Sequence, residues 1–403
     1  MESLRRPVRS GVRLIAAATH NPLDPMTFSG YSRHLFTALS AEGAEIVPME
    51  TRILRPADAL RGAFDVRVLA GRLVGRRSGP VVRDAWYWSR GAFELLSARV
   101  ARRLARLTDV DAIVQVGTHI LPPSDGPAAY CVTDATVRQV AEAAEFGIGR
   151  VGPRVLAEAV EAQRAVLNRC RGVFVLSEWT ARGIVDDYAL DPDRITVVGA
   201  GANVPADGVR RAPDEPIVLF VGYDWERKGG PLLVEAFRIA RRQVPRARLV
   251  VVGCTPEVSE PGVEVVGRLD RRRPEDVSRL VDLYSRASAF SILPTFDPFP
   301  NVLLEAAARG VPVVSIAGGS RPEAVIHGET GLLASGRDAA EVAELLVRLL
   351  ADPTLVMQMG ERAQRRAREL YTWERVAQTV LDQILAAESA WDEPASEPEL
   401  DGA

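Results

Sequence analysis

Apolar and amphipathic segments alternate along the whole chain. The apolar segments are short and rich in Val, Ile and Leu, and most are followed by a stretch whose apolar residues recur at helical spacing. This alternation is typical of βαβ units built around a buried parallel sheet. The chain is therefore predicted to be an α/β protein, with strands near residues 12–18, 111–117, 128–136, 217–222, 247–253 and 289–293. The segments 172–180 and 195–203 complete the same alternating pattern in the first half.

Length and composition indicate two domains. A chain of 403 residues with 47% hydrophobic content can bury two cores of ordinary size. The stretch 205–216 is rich in Pro, Asp and Arg and is predicted to be the linker. We predict a first domain at 1–205, a second at 206–372, a helical segment from Trp373, and a disordered acidic tail at 388–403.

Charge and cysteine content exclude several classes of protein. A net charge of −3 is unlike the strong basic excess of nucleic-acid-binding proteins. Cys131, Cys170 and Cys254 lack C-x-x-C spacing, so they are predicted to be buried thiols and not a zinc site or disulfide frame. No apolar run has the length of a membrane span or of a signal peptide, which predicts a cytoplasmic protein.

A basic and aromatic stretch at residues 72–106 has two interpretations. It contains many arginines, three neighbouring aromatic residues at 86–88 and a helical segment near 93–107. It is either a surface for a membrane or an acceptor molecule, or an ordinary amphipathic helix with a solvated basic face. Peripheral contact with a membrane therefore stays open.

The segment 296–305 contains the most informative pair of residues. Asp297 follows the predicted strand at 289–293, and Glu305 lies eight positions later, about one turn into a predicted helix at 302–309. A helix N-terminus favours a phosphate group, and carboxylates accept hydrogen bonds from vicinal hydroxyls. Together they suit a nucleotide sugar, although a chance pair with Glu305 serving the helix dipole is the simpler alternative.

Lys228 is the second candidate. It lies in a polar turn between the predicted strand 217–222 and an amphipathic helix at 231–244. Ligands of open parallel sheets bind at the carboxyl ends of the strands, so Lys228 and the segment 297–305 meet if their strands are near neighbours. A solvated lysine at a helix start is the alternative, but a cation there is unfavourable unless an anion is also present.

These motifs, taken in order, resemble the retaining group 1 (family 4) glycosyltransferases of the GT-B fold. The matching segments of the second half are 220–222, 227–229, 247–253, 266–269, 297–305, 310–315, 318–323 and 328–333. The resemblance implies two Rossmann-like domains with a cleft between them, and a C-terminal helix, 373–390, that crosses back to the first domain. It also implies that Asp297 contacts the donor sugar, Glu305 the ribose and Lys228 the diphosphate.

Three residues depart from the usual motifs. Asp297 replaces the commoner glutamate and is shorter by one methylene group. Tyr223 stands where an arginine often follows Gly222, so the resemblance leaves Arg227 to supply a second cation. Pro300 has no backbone N–H, so the N–H groups of Asn301 and Val302 would hold the phosphate. The predicted donor-binding residues are Gly30, Gly222, Arg227, Lys228, Arg268, Asp297, Pro300, Asn301, Val302 and Glu305.

The first half contributes further candidates through the same resemblance. The loop 24–30 resembles the glycine-containing loop at the domain cleft, where Gly30 would let the backbone approach a phosphate or an acceptor. Asp134 stands near the position of a histidine in many relatives, and its alternative role is to cap the next helix. Ser29 and His119 are predicted to bind the acceptor, although a lone loop histidine is often incidental.

The sequence therefore predicts a retaining, metal-independent glycosyltransferase of the hexosyltransferase type, without a cofactor. Lys228, Asp297 and Asp134 are its predicted catalytic residues. A nucleoside-diphosphate sugar is the predicted donor, and the predicted acceptor is a hydroxyl of a glycan, a lipid-linked sugar or a small metabolite. Two alternatives stay open: a non-hydrolysing sugar-nucleotide epimerase, and a catalytically silent GT-B binding subunit.

Overall fold

The computed structural model describes residues 11–51, 86–144, 147–205 and 212–392. Its first half contains a parallel sheet of six strands in the order β2-β1-β3-β4-β5-β6. The strands are β1 (Arg13–Ala18), β2 (Glu45–Glu50), β3 (Ala112–Val116), β4 (Ala128–Thr133), β5 (Gly172–Val175) and β6 (Ile195–Val197). The helices are α1 (Tyr31–Ala41), α2 (Arg90–Leu104), α3 (Val137–Glu142), α4 (Pro153–Arg169) and α5 (Glu178–Tyr188).

The second half contains another parallel sheet of six strands, in the order β12-β11-β10-β7-β8-β9. Its strands are β7 (Ile217–Val221), β8 (Arg248–Val252), β9 (Val263–Gly267), β10 (Ala289–Ser291), β11 (Val313–Ile316) and β12 (Gly331–Ala334). Its helices are α6 (Gly230–Gln243), α7 (Pro274–Arg286), α8 (Asn301–Ala308), α9 (Arg321–Ala324), α10 (Ala339–Leu350) and α11 (Pro353–Leu370), followed by α12 (Trp373–Asp392).

The central strands of both sheets are buried along their length. Every residue of β3 and of β7 is buried, because helices cover both faces of each sheet. Strands buried on both faces consist of continuous apolar residues, which is the pattern seen in the sequence. The predicted α/β class is confirmed, and β1, β3, β4, β7, β8 and β10 lie at the predicted strands. The segments 172–180 and 195–203 contain β5 and β6, but residues 178–180 belong to helix α5, and β2, β9, β11 and β12 were not predicted as strands.

The order of the second sheet determines where a ligand can bind. Strand β7 lies between β10 and β8, so the chain leaves β7 in one direction along the sheet and returns to its other side at β10. At such a switch point the loops after the two strands diverge and leave a crevice. The loop after β7 contains Lys228 and the loop after β10 contains Asp297, so both predicted residues border this crevice.

Helix α12 returns to the first domain, as the resemblance implied. The Trp373 ring lies 5.0 Å from the ring of Tyr31 and is stacked on His34 at 5.5 Å, and both of these residues belong to α1. The helix extends to Asp392, and the predicted disorder of the acidic tail stays a prediction. Alanine and glutamate, which favour helices, continue the pattern there. Residues 393–403 and the linker residues 206–211 lie outside the described residues, and the domain boundaries stay predictions.

The basic stretch contains the predicted amphipathic helix, α2. Ala92, Leu96, Val100 and Leu104 form its buried face, while Arg102 and Arg103 are exposed. Residues 72–85 of this stretch lie outside the described residues, and contact with a membrane stays a prediction. A search of the described helices found none with the length and apolar character needed to cross a bilayer.

Candidate active site

A cavity of about 300 Å³ lies between the two domains. The first domain contributes the loop 25–29, Tyr31 and Asp134, and the second contributes the ends of β7 and β8 and the start of α8. Of the predicted site residues, those that line this cavity are Ser29, Asp134, Gly222, Arg227, Lys228, Asp297, Pro300, Asn301, Val302 and Glu305. Predicted residues from distant parts of the chain therefore meet in one place, which we call the main cleft.

Lys228 is held in the cleft by its backbone. Leu293 N donates to the carbonyl oxygen of Lys228 at 2.9 Å, and Thr295 N donates to that of Arg227 at 2.9 Å. The next residue, Gly229, has φ 78°, and a Cβ atom there would lie 1.9 Å from the Leu293 carbonyl oxygen. Only glycine fits this position, so the close approach of the two loops fixes where the lysine emerges.

Lys228 is also the single lysine of the chain, whose 50 basic residues otherwise are all arginine. A lysine ammonium is a compact point charge with three rotatable donors, whereas a guanidinium is a broad planar fork. The use of the compact cation at this one position is a sequence signal that motif comparison alone overlooks.

Asp297 is the ion-pair partner of Lys228. Lys228 Nζ contacts Asp297 Oδ2, and the two side chains are only 14% and 10% exposed. Arg227 Nη1 lies 3.8 Å from the same carboxylate oxygen and donates to the Phe296 carbonyl at 2.9 Å. Arg227 Nε also donates to Asp224 Oδ2 at 3.3 Å. The two cations are therefore paired with two carboxylates, and both lie at the cleft where an anionic ligand can contact them.

The start of α8 faces the cleft next to this group. Pro300 is the N-cap residue, and the first N–H groups of a helix have no acceptor within it. Asn301 and Val302 line the cleft at this helix end. The Asn301 Oδ1 atom is buried without a hydrogen-bond partner, which is costly unless a ligand supplies a donor. These residues lie where the sequence predicted them.

Glu305 has an unpredicted partner in Arg271. Arg271 Nη1 and Nη2 donate to Glu305 Oε1 and Oε2 at 2.7 and 2.9 Å. Tyr284 Oη donates to Oε2 at 3.0 Å, and burial raises the pKa of Tyr284, so its phenol remains a donor. The Glu305 side chain is 1% exposed. The guanidinium therefore fixes the carboxylate in a bidentate geometry at the edge of the cleft.

Arg268, one of two arginines that were predicted to bind the donor, does not line the cleft. Its side chain is exposed. Leu269 is buried and Arg271 lines the cavity, because the chain turns at Gly267, φ 83°, and then presents alternate residues inward. The alternation from the buried Leu269 is the signal that could have identified Arg271.

The loop from the first domain has a strained backbone. Phe28 and Ser29 have left-handed φ values of 52° and 55°, and Gly30 follows at 87°. Non-glycine residues in this region cost on the order of 1 to 2 kcal/mol each and cluster at functional sites. Ser29 lines the cleft, but Gly30 does not: it lies against Asn203 and Pro25. Gly30 therefore shapes the turn, and its predicted contact with the donor has no support from its position.

Asp134 lies across the cleft from Lys228, at the end of β4. Burial, and then the neighbouring Asp297 carboxylate, raise the pKa of Asp134 to about 7. The alternative role as a helix cap is wrong, because Thr136 caps α3 through a capping box with Gln139. The carboxyl group of Asp134 is left facing the cavity.

His119 lies in a second cavity and not in the main cleft. Its ring lies 5.3 Å from that of Tyr87 and 6.0 Å from that of Trp88. The second cavity, of about 310 Å³, shares Phe28, Asp134 and Pro298 with the main cleft. His119 is therefore adjacent to the predicted donor site through Asp134.

The predicted absence of a metal or cofactor stays a prediction. Over the parts of the chain that the structure describes, no three His, Cys, Asp or Glu residues are grouped as metal ligands. Cys131, Cys170 and Cys254 are buried free thiols.

A comparison with known protein families found one match. Residues 215–352 match the model of the family described as "Glycosyl transferases group 1". These residues contain Lys228, Arg271, Asp297 and Glu305.

This part of the chain is similar to the group 1 glycosyltransferases.

Two curated relatives that this chain matches are named D-inositol 3-phosphate glycosyltransferase. That of Corynebacterium efficiens is 34% identical over 221 residues, 48% of this chain and 51% of the relative. That of Nocardia farcinica is 32% identical over 249 residues, 56% of this chain and 53% of the relative. The chain thus spans about half the length of the curated relatives that it matches.

Solved structures confirm the predicted GT-B fold. Sucrose-phosphate synthase from Thermosynechococcus elongatus has a TM-score of 0.64 at 20% identity, covering 94% of this chain and 100% of that one. WaaG, a glycosyltransferase involved in lipopolysaccharide biosynthesis, has a TM-score of 0.63 at 16% identity, covering 93% and 99%. HepE of Anabaena, in complex with UDP and glucose, has a TM-score of 0.55 at 15% identity, covering 72% and 81%.

Proposed function

We propose that this chain is a retaining glycosyltransferase that moves a sugar from a nucleoside-diphosphate sugar to a hydroxyl acceptor without a metal ion. One observation carries the proposal. Lys228, Asp297, the start of α8 and the Arg271–Glu305 pair line one cleft that belongs largely to the group 1 domain. Cations, a helix N-terminus and carboxylates in one cleft match the phosphates and hydroxyls of such a donor.

The diphosphate would bind beside Lys228 and Arg227. Their charges and the N–H groups at the start of α8 stabilise the negative charge that develops as the diphosphate leaves. This preorganised positive field takes the place that a metal ion has in other transferases, which supports metal independence. Lys228 would exchange part of its contact with Asp297 for the phosphate.

The sugar would lie between Asp297 and Asp134. Asp297 accepts hydrogen bonds from sugar hydroxyls, and the buried Asn301 Oδ1 gains the donor that it lacks in this structure. The bond from the anomeric carbon to the diphosphate oxygen breaks, and a bond to the acceptor oxygen forms. The acceptor's proton passes to the departing phosphate oxygen on the same face of the sugar, which retains the anomeric configuration.

The comparisons support a sugar nucleotide as donor. The HepE structure contains UDP and glucose, so UDP-glucose is the first compound to test. The curated relatives' names include D-inositol 3-phosphate, which makes cyclitols and their phosphates the first acceptors to test.

The single lysine permits a direct test of the donor site. Growth on ¹³C-labelled lysine leaves the ammonium group and its three donors unchanged and labels one side chain, Lys228. UDP-, GDP- and ADP-sugars would be titrated in EDTA while the Lys228 side-chain signal is recorded by NMR. We expect one nucleotide to shift this signal in the micromolar range, and EDTA to leave the titration unchanged.

Calorimetry on variants completes the test. Lys228→Ala and Glu305→Gln should each weaken binding by about tenfold or more. Arg242→Ala, an exposed cation on α6, is the matched control and should bind normally. The anomeric coupling constant of the product reports retention. If a folded protein binds no sugar nucleotide, the proposed function is wrong; if it binds one only when a metal is added, metal independence is wrong.

A further inference from the structure

The second cavity lies beside the main cleft, and the proposed donor binding does not account for it. Its volume of about 310 Å³ is at the lower end for small-molecule sites. It lies in the first domain, apart from Pro298, and shares Phe28 and Asp134 with the main cleft. A molecule in this cavity would therefore meet the sugar of a bound donor at Asp134.

Aromatic side chains form much of its wall. Tyr87 and Trp88 precede α2 and meet edge to face with ring centroids 5.4 Å apart, and both pack on His119. Phe28 from the strained loop lines the same cavity. Aromatic faces offer a large apolar area, while the tyrosine and tryptophan polar atoms provide a few hydrogen bonds. Such a wall suits a ring whose faces are C–H groups and whose edge carries hydroxyls.

The remaining wall is polar but without cations. Gln163 Nε2 donates to Thr118 Oγ1 at 3.0 Å, and Gln163 Oε1 accepts from Val137 N at 2.6 Å. Of the residues that the structure describes along this wall, none is lysine or arginine, whereas the main cleft has Arg227, Lys228 and Arg271. The neighbouring acids are Asp134, in the wall itself, and Asp297, which raises the pKa of Asp134.

This charge distribution discriminates against phosphate. Phosphate groups in proteins are held by charge-assisted hydrogen bonds, mostly from arginine and lysine. A phosphate in the second cavity would lose its water and face the Asp134 carboxyl group without a cation from the described wall, which is costly. An uncharged hydroxyl compound meets no such penalty.

We propose that the second cavity binds the acceptor, and that this acceptor is an uncharged, ring-shaped polyhydroxyl compound packed against Tyr87 and Trp88 with one hydroxyl at Asp134. The inference rests on the proposed function, because it assigns the acceptor class of the same transferase. It separates this chain from a transferase whose acceptor carries a phosphate.

Matched pairs of neutral and phosphorylated acceptors test whether the second cavity prefers an uncharged molecule. The pairs are myo-inositol with D-inositol 3-phosphate, and methyl glucoside with its 6-phosphate, each offered with the sugar nucleotide found by titration. We expect kcat/KM for the neutral member to exceed that of the phosphorylated member by about tenfold or more. Preference for a phosphorylated member would overturn the inference, and so would a lack of transfer to both neutral members.

Three variants test the wall. Trp88→Ala should raise the acceptor KM by about tenfold and leave the donor KM unchanged, while Trp88→Phe should restore most of the affinity. His119→Lys places a cation in the cavity and should raise the relative kcat/KM of the phosphorylated acceptors by about tenfold. Equal acceptor KM values for Trp88→Ala and the parent protein, or no gain from His119→Lys, would contradict the assignment.

Donor binding separates the two ways of failing. If the Lys228 side-chain signal reports a sugar nucleotide but the acceptor preferences are opposite, only the acceptor class is wrong. If no sugar nucleotide binds to the folded protein, the proposed function is wrong and the acceptor assignment falls with it.

Discussion

Arg271 and Arg268 are the same residue type in the same segment, but their surroundings give them different roles. The two arginines are three positions apart, yet one holds the buried Glu305 carboxylate and the other is exposed. Removing one partner of a buried ion pair leaves an uncompensated charge, which is more destabilising than losing a surface pair. Arg271 should therefore matter for stability and for the donor site, and Arg268 for neither.

We expect Arg271→Ala to lower the free energy of unfolding by about 2 to 4 kcal/mol, measured by urea denaturation. Arg268→Ala should change it by less than about 0.5 kcal/mol. The double variant Arg271→Ala/Glu305→Gln should recover part of the loss, because the unpaired charge is gone. A double variant no more stable than Arg271→Ala would contradict the account of the pair.

The second residue-scale prediction concerns Asp134. The pKa of its carboxyl is about 7 in the folded protein, against an ordinary value of 3.8, with burial as the larger cause. The folded state therefore keeps this proton while the unfolded chain loses it, so stability falls as pH rises from about 4 to 7. Asp134→Asn removes this penalty.

The variant should match the parent protein in stability near pH 4 and exceed it above pH 7. Because the side chain is only half-buried, we expect a gain of roughly 1 to 3 kcal/mol. Thermal unfolding of both proteins across this pH range measures the difference. A difference that does not change with pH would show that ionisation of Asp134 is not its cause.

At the scale of elements, helix α5 of the first domain is capped by a residue of the second. The Glu323 carboxylate accepts hydrogen bonds from the backbone N–H groups of Glu178 and Trp179 at 2.8 and 2.9 Å. It satisfies two donors that the helix leaves unpaired and complements the positive end of the helix dipole. The contact therefore stabilises the start of α5 and also connects the two domains.

We expect Glu323→Ala to lower the free energy of unfolding by about 1 to 2 kcal/mol. Glu329→Ala, at an exposed glutamate in the same domain, is the control and should change it little. Glu323→Gln keeps one acceptor oxygen and should fall between the two. Urea denaturation ranks the three variants, and equal effects of Glu323→Ala and Glu329→Ala would rule out an interdomain cap.

At the scale of the whole molecule, Trp373 connects the C-terminal helix α12 to the first domain. Its indole Nε1 donates to the Ala202 carbonyl at 3.1 Å, and its ring packs on Tyr31 and His34 of α1. Gly201 has no room for a side chain here, since a Cβ would lie 2.5 Å from the Trp373 ring. The close packing of Trp373 therefore fixes the position of the C-terminal helix on the first domain.

Trp373→Ala should lower the free energy of unfolding by about 3 to 5 kcal/mol, because it opens a cavity at this contact. Calorimetry should also show the single unfolding transition broaden or split, as the domains lose a shared element. Leu370→Ala removes an exposed side chain at the end of α11 and should cost less than about 1 kcal/mol. Similar transitions for the two variants would argue against coupling through Trp373.

The sequence alone determined the central strands, several helices and most of the main cleft. Buried strands require unbroken apolar segments, and helices show their own spacing, so the α/β class and the approximate positions of β7, β8 and β10 are readable. Lys228, Asp297 and Glu305 were also predictable, because the ends of parallel strands and the start of a helix restrict where phosphate and hydroxyl ligands bind.

Only the tertiary structure decided which side chains pair and which cavities they line. Arg271 meets Glu305 across 34 positions, and Tyr87 and Trp88 meet His119 from another element. The strand order that creates these contacts is not written in local spacing. The same is true of the pKa of Asp134, which depends on burial and on Asp297, a residue of the other domain. The pattern of apolar residues along the sequence indicates local backbone conformation. Side-chain pairs and side-chain burial depend instead on how distant segments pack.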